Sequence, residues 1–96
     1  MASDPTLLVL ASLADGDKHG YSMMTDIADF AGVDLGPGTL YGAIARLEEK
    51  GFIKALSSDE RRRPYRLTPA GRAYLEEQLA ALEPIVRIAG RRLRRA

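Results

Sequence analysis

Three features of the sequence predict a mainly α-helical chain with one small β-hairpin (α+β), in the order α-α-α-β-β-α and dimeric. One is a helix between Gly36 and Gly51 that carries its own start and stop signals. Another is a pair of short β-prone runs, Phe52–Leu56 and Pro64–Thr68, on either side of an arginine-rich loop. The third is a C-terminal apolar series that repeats as a coiled-coil seam. Ninety-six residues make one domain with room for a small core only.

The first helix is predicted over residues 4–14, D-P-T-L-L-V-L-A-S-L-A, with Asp4 or Ser3 as N-cap and Pro5 near the first helical position. It is apolar almost all round, so it needs cover on more than one side, and burial against a partner chain is one way to supply it. Asp15 to Lys18 read as a polar turn. His19-Gly20-Tyr21 then opens a second helix, whose Met23, Met24, Ile27, Ala28 and Ala31 form an apolar core stripe ended by Gly32. His19 has no Cys, Asp or Glu at ligand spacing, which predicts neither a metal nor a catalytic role.

In the third helix Gly36 is an acceptable N-cap, Pro37 suits the first turn, and Gly51 closes the helix through a left-handed residue. Leu40, Ala43, Ile44 and Leu47 share one face. The opposite face carries Gly38, Gly42, Ala45, Arg46 and Glu49, with Thr39 and Tyr41 on its flanks. A helix so bare along its middle can lie close to another surface, and its first turn favours phosphate.

Beyond Gly51, Phe52–Leu56 and Pro64–Thr68 predict a hairpin with Arg61, Arg62 and Arg63 at its tip; Pro64 must stand at the strand's start or at an unpaired edge position. Thr68-Pro69 starts the last helix. Leu75, Leu79, Leu82, Val86, Ala89 and Leu93 follow at spacings of four and three, a seam of nearly three heptads. Tyr74, Ala81, Ile85 and Ile88 widen it. Pro84 lacks an N–H and clashes with the carbonyl of Ala80, which predicts a kink or break there.

A net charge of +1 hides an asymmetry. Residues 1–56 hold four Lys/Arg against eight Asp/Glu, whereas residues 57–96 hold ten against five, all ten of them arginine. Arginine suits planar recognition of phosphate. There is no cysteine, hence no disulfide framework or thiolate metal site, and no apolar run long enough to span a membrane. Paired carboxylates, a nucleophile–base set and a phosphate loop are likewise lacking, so the sequence does not read as an enzyme, and no cofactor or metal is expected.

The element order is that of a winged helix-turn-helix, in which the third helix enters the DNA major groove and the hairpin, or wing, reaches the flanking backbone. The bare helix face and the arginine tip then share one explanation. Residues 1–68 are assigned to the DNA-binding domain and 69–96 to a dimerisation helix, kinked or broken near Pro84.

The residues also resemble a known family. H-G-Y at 19–21, P-G-T-L-Y at 37–41, R-L-E-E-K-G-F-I at 46–53 and Y-R-L-T-P-A-G-R at 65–72 resemble the PadR family of bacterial transcriptional regulators, over roughly residues 5–75. The resemblance implies a cytoplasmic homodimeric repressor, nucleoid-associated when bound, that holds an inverted-repeat operator in double-stranded DNA. It also implies release by a small aromatic or hydrophobic effector, and dimerisation of the C-terminal helix with the partner's first helix. Tyr21, Thr39 and Tyr41 would contact the DNA backbone or base edges. Arg61, Arg62 and Arg63 would hold phosphates. Gly38, Gly42, Arg46 and Tyr65 complete the DNA-facing set, and Leu7, Leu10, Leu75, Leu79, Leu82, Val86 and Ala89 the dimerisation set. Gly36 stands where the family often has serine, and Gly42 where a larger residue is common. The absence of Trp argues against an effector pocket built on stacked indoles. The alternative is a winged helix that binds protein rather than specific DNA.

Overall fold

The N-cap of the first helix is Asp4, whose carboxylate accepts from the Thr6 N–H (3.0 Å) and from the Thr6 hydroxyl (2.8 Å). With Pro5 at the first position, these bonds begin α1 (Pro5–Leu13) in a computed structural model that describes residues 4–57, 59 and 63–95. Leu8, Val9, Leu10 and Leu13 are all buried, because α1 packs against α2 (Gly20–Ala31), α3 (Pro37–Glu49), the strand β3 (Pro64–Leu67) and α4 (Pro69–Arg95). The helix that is apolar on every side is thus the central post of the domain. Its cover comes from within the chain, and Leu10, expected at a dimer interface, is fully buried in the core.

Polar groups around α1 are satisfied in place. The buried Ser12 hydroxyl donates to the Asp26 carboxylate of α2 (2.7 Å). Lys18 reaches back to the Ser12 carbonyl near the helix's C-terminal end and to Asp15.

The polar turn expected over Asp15–Lys18 is present but ends a residue early, because Lys18 and His19 form a short strand, β1 (Lys18–His19), before the second helix. It pairs antiparallel with β3, Lys18 opposite Tyr65 and His19 opposite Pro64. β2 (Ile53–Ala55) lies on the other side, Ile53 opposite Leu67 and Ala55 opposite Tyr65. The two-stranded hairpin is therefore part of a three-stranded sheet, order β1-β3-β2, with the wing's second strand in the middle. Pro64 opens that strand, where its missing N–H removes no ladder bond from the interior.

α3 is bounded as its sequence predicts. Gly36 caps it with backbone alone, and Leu40, Ala43, Ile44 and Leu47 are buried. At its end Gly51 has φ +76°, its N–H bonds the Glu48 carbonyl (3.0 Å), and the Phe52 N–H bonds the Leu47 carbonyl (2.9 Å). That pair of bonds is the Schellman closure. The same corner starts α4: the Thr68 hydroxyl accepts from the Gly71 N–H (3.0 Å) and donates to the Gly51 carbonyl (2.7 Å), while the Thr68 N–H bonds the Phe52 carbonyl (3.0 Å). Phe52 stacks on Tyr74 with ring centroids 4.5 Å apart.

α4 runs through Pro84 without a break, since the one backbone bond that proline cannot donate is lost between intact turns. Twenty-seven residues at ~1.5 Å each give a helix of about 40 Å, most of the molecule's 54 Å long axis. Of the seam, Leu75 is buried in the chain's own core and Leu82 half-buried near Leu7. Leu79, Ile85, Val86 and Leu93 are exposed.

Candidate nucleic-acid interface

With its apolar face in the core, α3 turns Gly38, Thr39, Tyr41 and Arg46 outward. Gly42 is half-buried, covered by the Arg46 side chain folding back along the helix: Nη1 of Arg46 lies 3.6 Å from where a Cβ on Gly42 would stand. Arg46 makes no ion pair among the described residues, so neither Glu49 nor any other acid there draws off its charge.

Tyr21, near the start of α2, is 71% exposed. Tyr41 is half-exposed, and its ring rests on Gly20 of the neighbouring helix. The five residues 32–36 join the two helices, with Val33 and Leu35 tucked against the core, so Tyr21 and Tyr41 stand on two helices joined by a short, partly buried connection.

Tyr65 departs from its expected place. It points inward from β3 and is 6% exposed, a core residue rather than a DNA contact. Strand alternation is the reason: with Arg66 outward, Tyr65 must face in. Burial pushes its phenol above the ordinary tyrosine range, Glu48 adds to this, and Arg63 acts in the opposite direction. Arg63, at the wing's base, is half-buried. Arg61 and Arg62 lie outside the described residues.

Two of the eight acids in the first half, Asp15 and Asp17, are paired with cations of the same chain. Arg66 grips Asp17 with two bonds, Nε to Oδ1 at 3.1 Å and Nη2 to Oδ2 at 2.8 Å, and Lys18 holds Asp15. The Arg66 guanidinium holds the Asp17 carboxyl below the usual carboxylate range, and Lys18 does the same for Asp15. Arg66 is thereby tied to the sheet's edge. On α4, Arg87 pairs with Glu83 (3.1 Å), while Arg91, Arg92, Arg94 and Arg95 are exposed and make no ion pair among the described residues.

Sequence reasoning did not single out Gly20 or Gly71 as close-approach positions, because the atoms they meet lie 21 and 19 residues away in the chain. No group of three or more His, Cys, Asp or Glu side chains among the described residues could hold a metal ion. No helix there is long and apolar enough to cross a membrane.

The sequence profile of the transcriptional regulator PadR-like family matches residues 9–77. The chain is 46% identical over 89 residues to an uncharacterized 37.1 kDa protein in the transposon TN4556 of Streptomyces fradiae. That alignment covers 93% of this chain but only 25% of the relative, so the chain spans a quarter of that protein's length. It is 39% identical to the transcriptional regulator Rv3488 of Mycobacterium tuberculosis, covering 84% of this chain and 78% of the relative. Among solved structures, a PadR family transcription regulator from Clostridium difficile R20291 superposes with a TM-score of 0.80 at 28% identity, covering 93% of this chain and 97% of that one.

Proposed function

The chain belongs to the PadR-like family of transcriptional regulators, and from that premise we propose that it is a sequence-specific DNA-binding repressor acting as a homodimer. The observation that carries this reading is the outer face of α3. It offers Thr39, Tyr41 and Arg46 around the bare strip of Gly38 and Gly42, beside the exposed Tyr21. Such a face can lie deep in a major groove, with few side chains to read bases and a wing to hold backbone. Arg61 and Arg62 of the wing serve the backbone in this reading.

The exposed stripe of α4, Leu79, Val86 and Leu93 with Ile85, supports dimerisation, since its apolar groups have no cover within the chain. Two copies related by a two-fold axis would present two α3 helices to an inverted repeat. Release by a small hydrophobic or aromatic effector completes the reading, as the family resemblance implies. The working compartment is the cytoplasm, at the nucleoid while bound.

Selection of bound sequences from a random duplex pool tests the reading. Recovery of one inverted repeat, bound at one dimer per site, is the expected result. Retention indifferent to sequence, or none at low salt, overturns it.

A further inference from the structure

Gly20 is the first residue of α2, and its backbone needs no glycine: the described glycines with positive φ are Gly16, Gly32 and Gly51. What Gly20 lacks is a side chain, and the space is taken. A Cβ there would stand 2.3 Å from the Tyr41 hydroxyl oxygen, 2.7 Å from Cζ and 2.9 Å from Cε1. All three are closer than non-bonded carbon contacts allow.

From this packing we infer that Gly20 is a positioning residue for Tyr41. The missing side chain at position 20 forms the seat that fixes the Tyr41 hydroxyl relative to Tyr21, so that the two helices present one surface to DNA. The inference rests on the DNA-binding reading above, and deepens it. Tyr41 is half-exposed, so its ring can swing outward at little cost when the seat is filled. A methyl at position 20 therefore leaves the fold in place and moves the hydroxyl. The direction open to it is solvent, the side from which DNA approaches. Gly20 itself touches nothing in the DNA and acts through Tyr41 alone.

The test compares Gly20→Ala, Tyr41→Ala and the double variant in the full chain labelled with fluorinated tyrosine, which gives four ring signals in the unmodified chain and loses that of Tyr41 where the ring is removed. The binding probe is a duplex recovered by the unmodified chain from a random pool. Gly20→Ala is expected to shift the Tyr41 signal, leave the Tyr74 signal in place and weaken duplex binding by about tenfold. The double variant should bind as well as Tyr41→Ala alone, because without the ring the added methyl meets nothing to displace. An unmoved Tyr41 signal in Gly20→Ala, or a double variant weakened by the product of the single effects, overturns the inference. If Gly20→Ala fails to fold, recovery of the fold in the double variant supports it and continued failure overturns it. Should the unmodified chain bind no duplex, the DNA reading fails, while the fluorine signals still decide whether Gly20 positions Tyr41.

Discussion

The carbonyl oxygen of Phe52 occupies the space that a side chain on Gly71 would need: a Cβ there would lie 1.9 Å away. Gly71 is in the first turn of α4, and Phe52 follows the left-handed closure of α3. The end of α3, the hairpin and α4 therefore meet at one backbone contact. The Thr68 bonds and the Phe52–Tyr74 stack hold the same joint.

Gly71→Ala should accordingly destabilise the chain by about 1–3 kcal/mol or more, since the obstacle is backbone and cannot rotate aside. Chemical denaturation measures it. A variant as stable as the parent would show that the start of α4 can shift away from Phe52 freely. The contrast with Gly20 is instructive, because there the obstructing atoms belong to a half-exposed ring that can move.

Acid should weaken the fold through Asp17 and Asp15. Arg66 and Lys18 hold their folded carboxyls below the ordinary value. The unfolded chain therefore takes up protons first as pH falls, and stability present above about pH 4 is lost through the depressed folded values. Melting temperature followed against pH should fall less steeply for Asp17→Asn than for the parent. Both groups are exposed, so added salt should shrink the difference. Identical acid limbs for the two proteins would remove Arg66–Asp17 from the account.

The element ends were legible in the sequence wherever a local signal sets them. Asp4-Pro5, Gly36-Pro37, Gly51 and Thr68-Pro69 each satisfy backbone groups within a few residues. β1 was not legible, because Lys18 and His19 have no strand pattern of their own and are a strand only through pairing with β3. Leu10 and Leu75 read as interface because periodicity reports an apolar face without saying which chain covers it. Tyr65 could have been placed correctly from the alternation of Pro64–Leu67, with arginine marking the outer side.

Assembly can now be probed without disturbing the core. Val86 is 72% exposed in the single chain, so Val86→Lys should leave the protomer's fold intact. If α4 stripes pair, the substitution buries unpaired charges and shifts the dimer to folded monomer. Sedimentation at micromolar concentration, alongside a helical circular-dichroism signal, reads both properties. A parent chain that sediments as a monomer, or a variant that remains a dimer, removes this stripe from the interface.

The wing arginines should hold rather than read. Arg61→Ala and Arg62→Ala should each weaken binding to all duplexes about equally and lower the salt slope by about one. Unchanged affinity and slope in both would take the wing tip off the DNA.

The bare strip of α3 sets stability against binding at a single residue. Gly42 lies mid-helix, where glycine costs about 1 kcal/mol relative to alanine. Nothing in the fold demands it: an added Cβ would meet only Arg46 Nη1, at an ordinary contact distance of 3.6 Å. Gly42→Ala should therefore stabilise the chain by roughly 0.5–1 kcal/mol. If the strip is approached closely by DNA, the same methyl costs affinity by holding the groove away. The loss should be much the same on every duplex, because lost approach does not depend on which base is touched. Denaturation and a titration on single-base operator variants supply both halves. A variant that is more stable and binds every duplex as tightly as the parent would show that DNA does not come near Gly42.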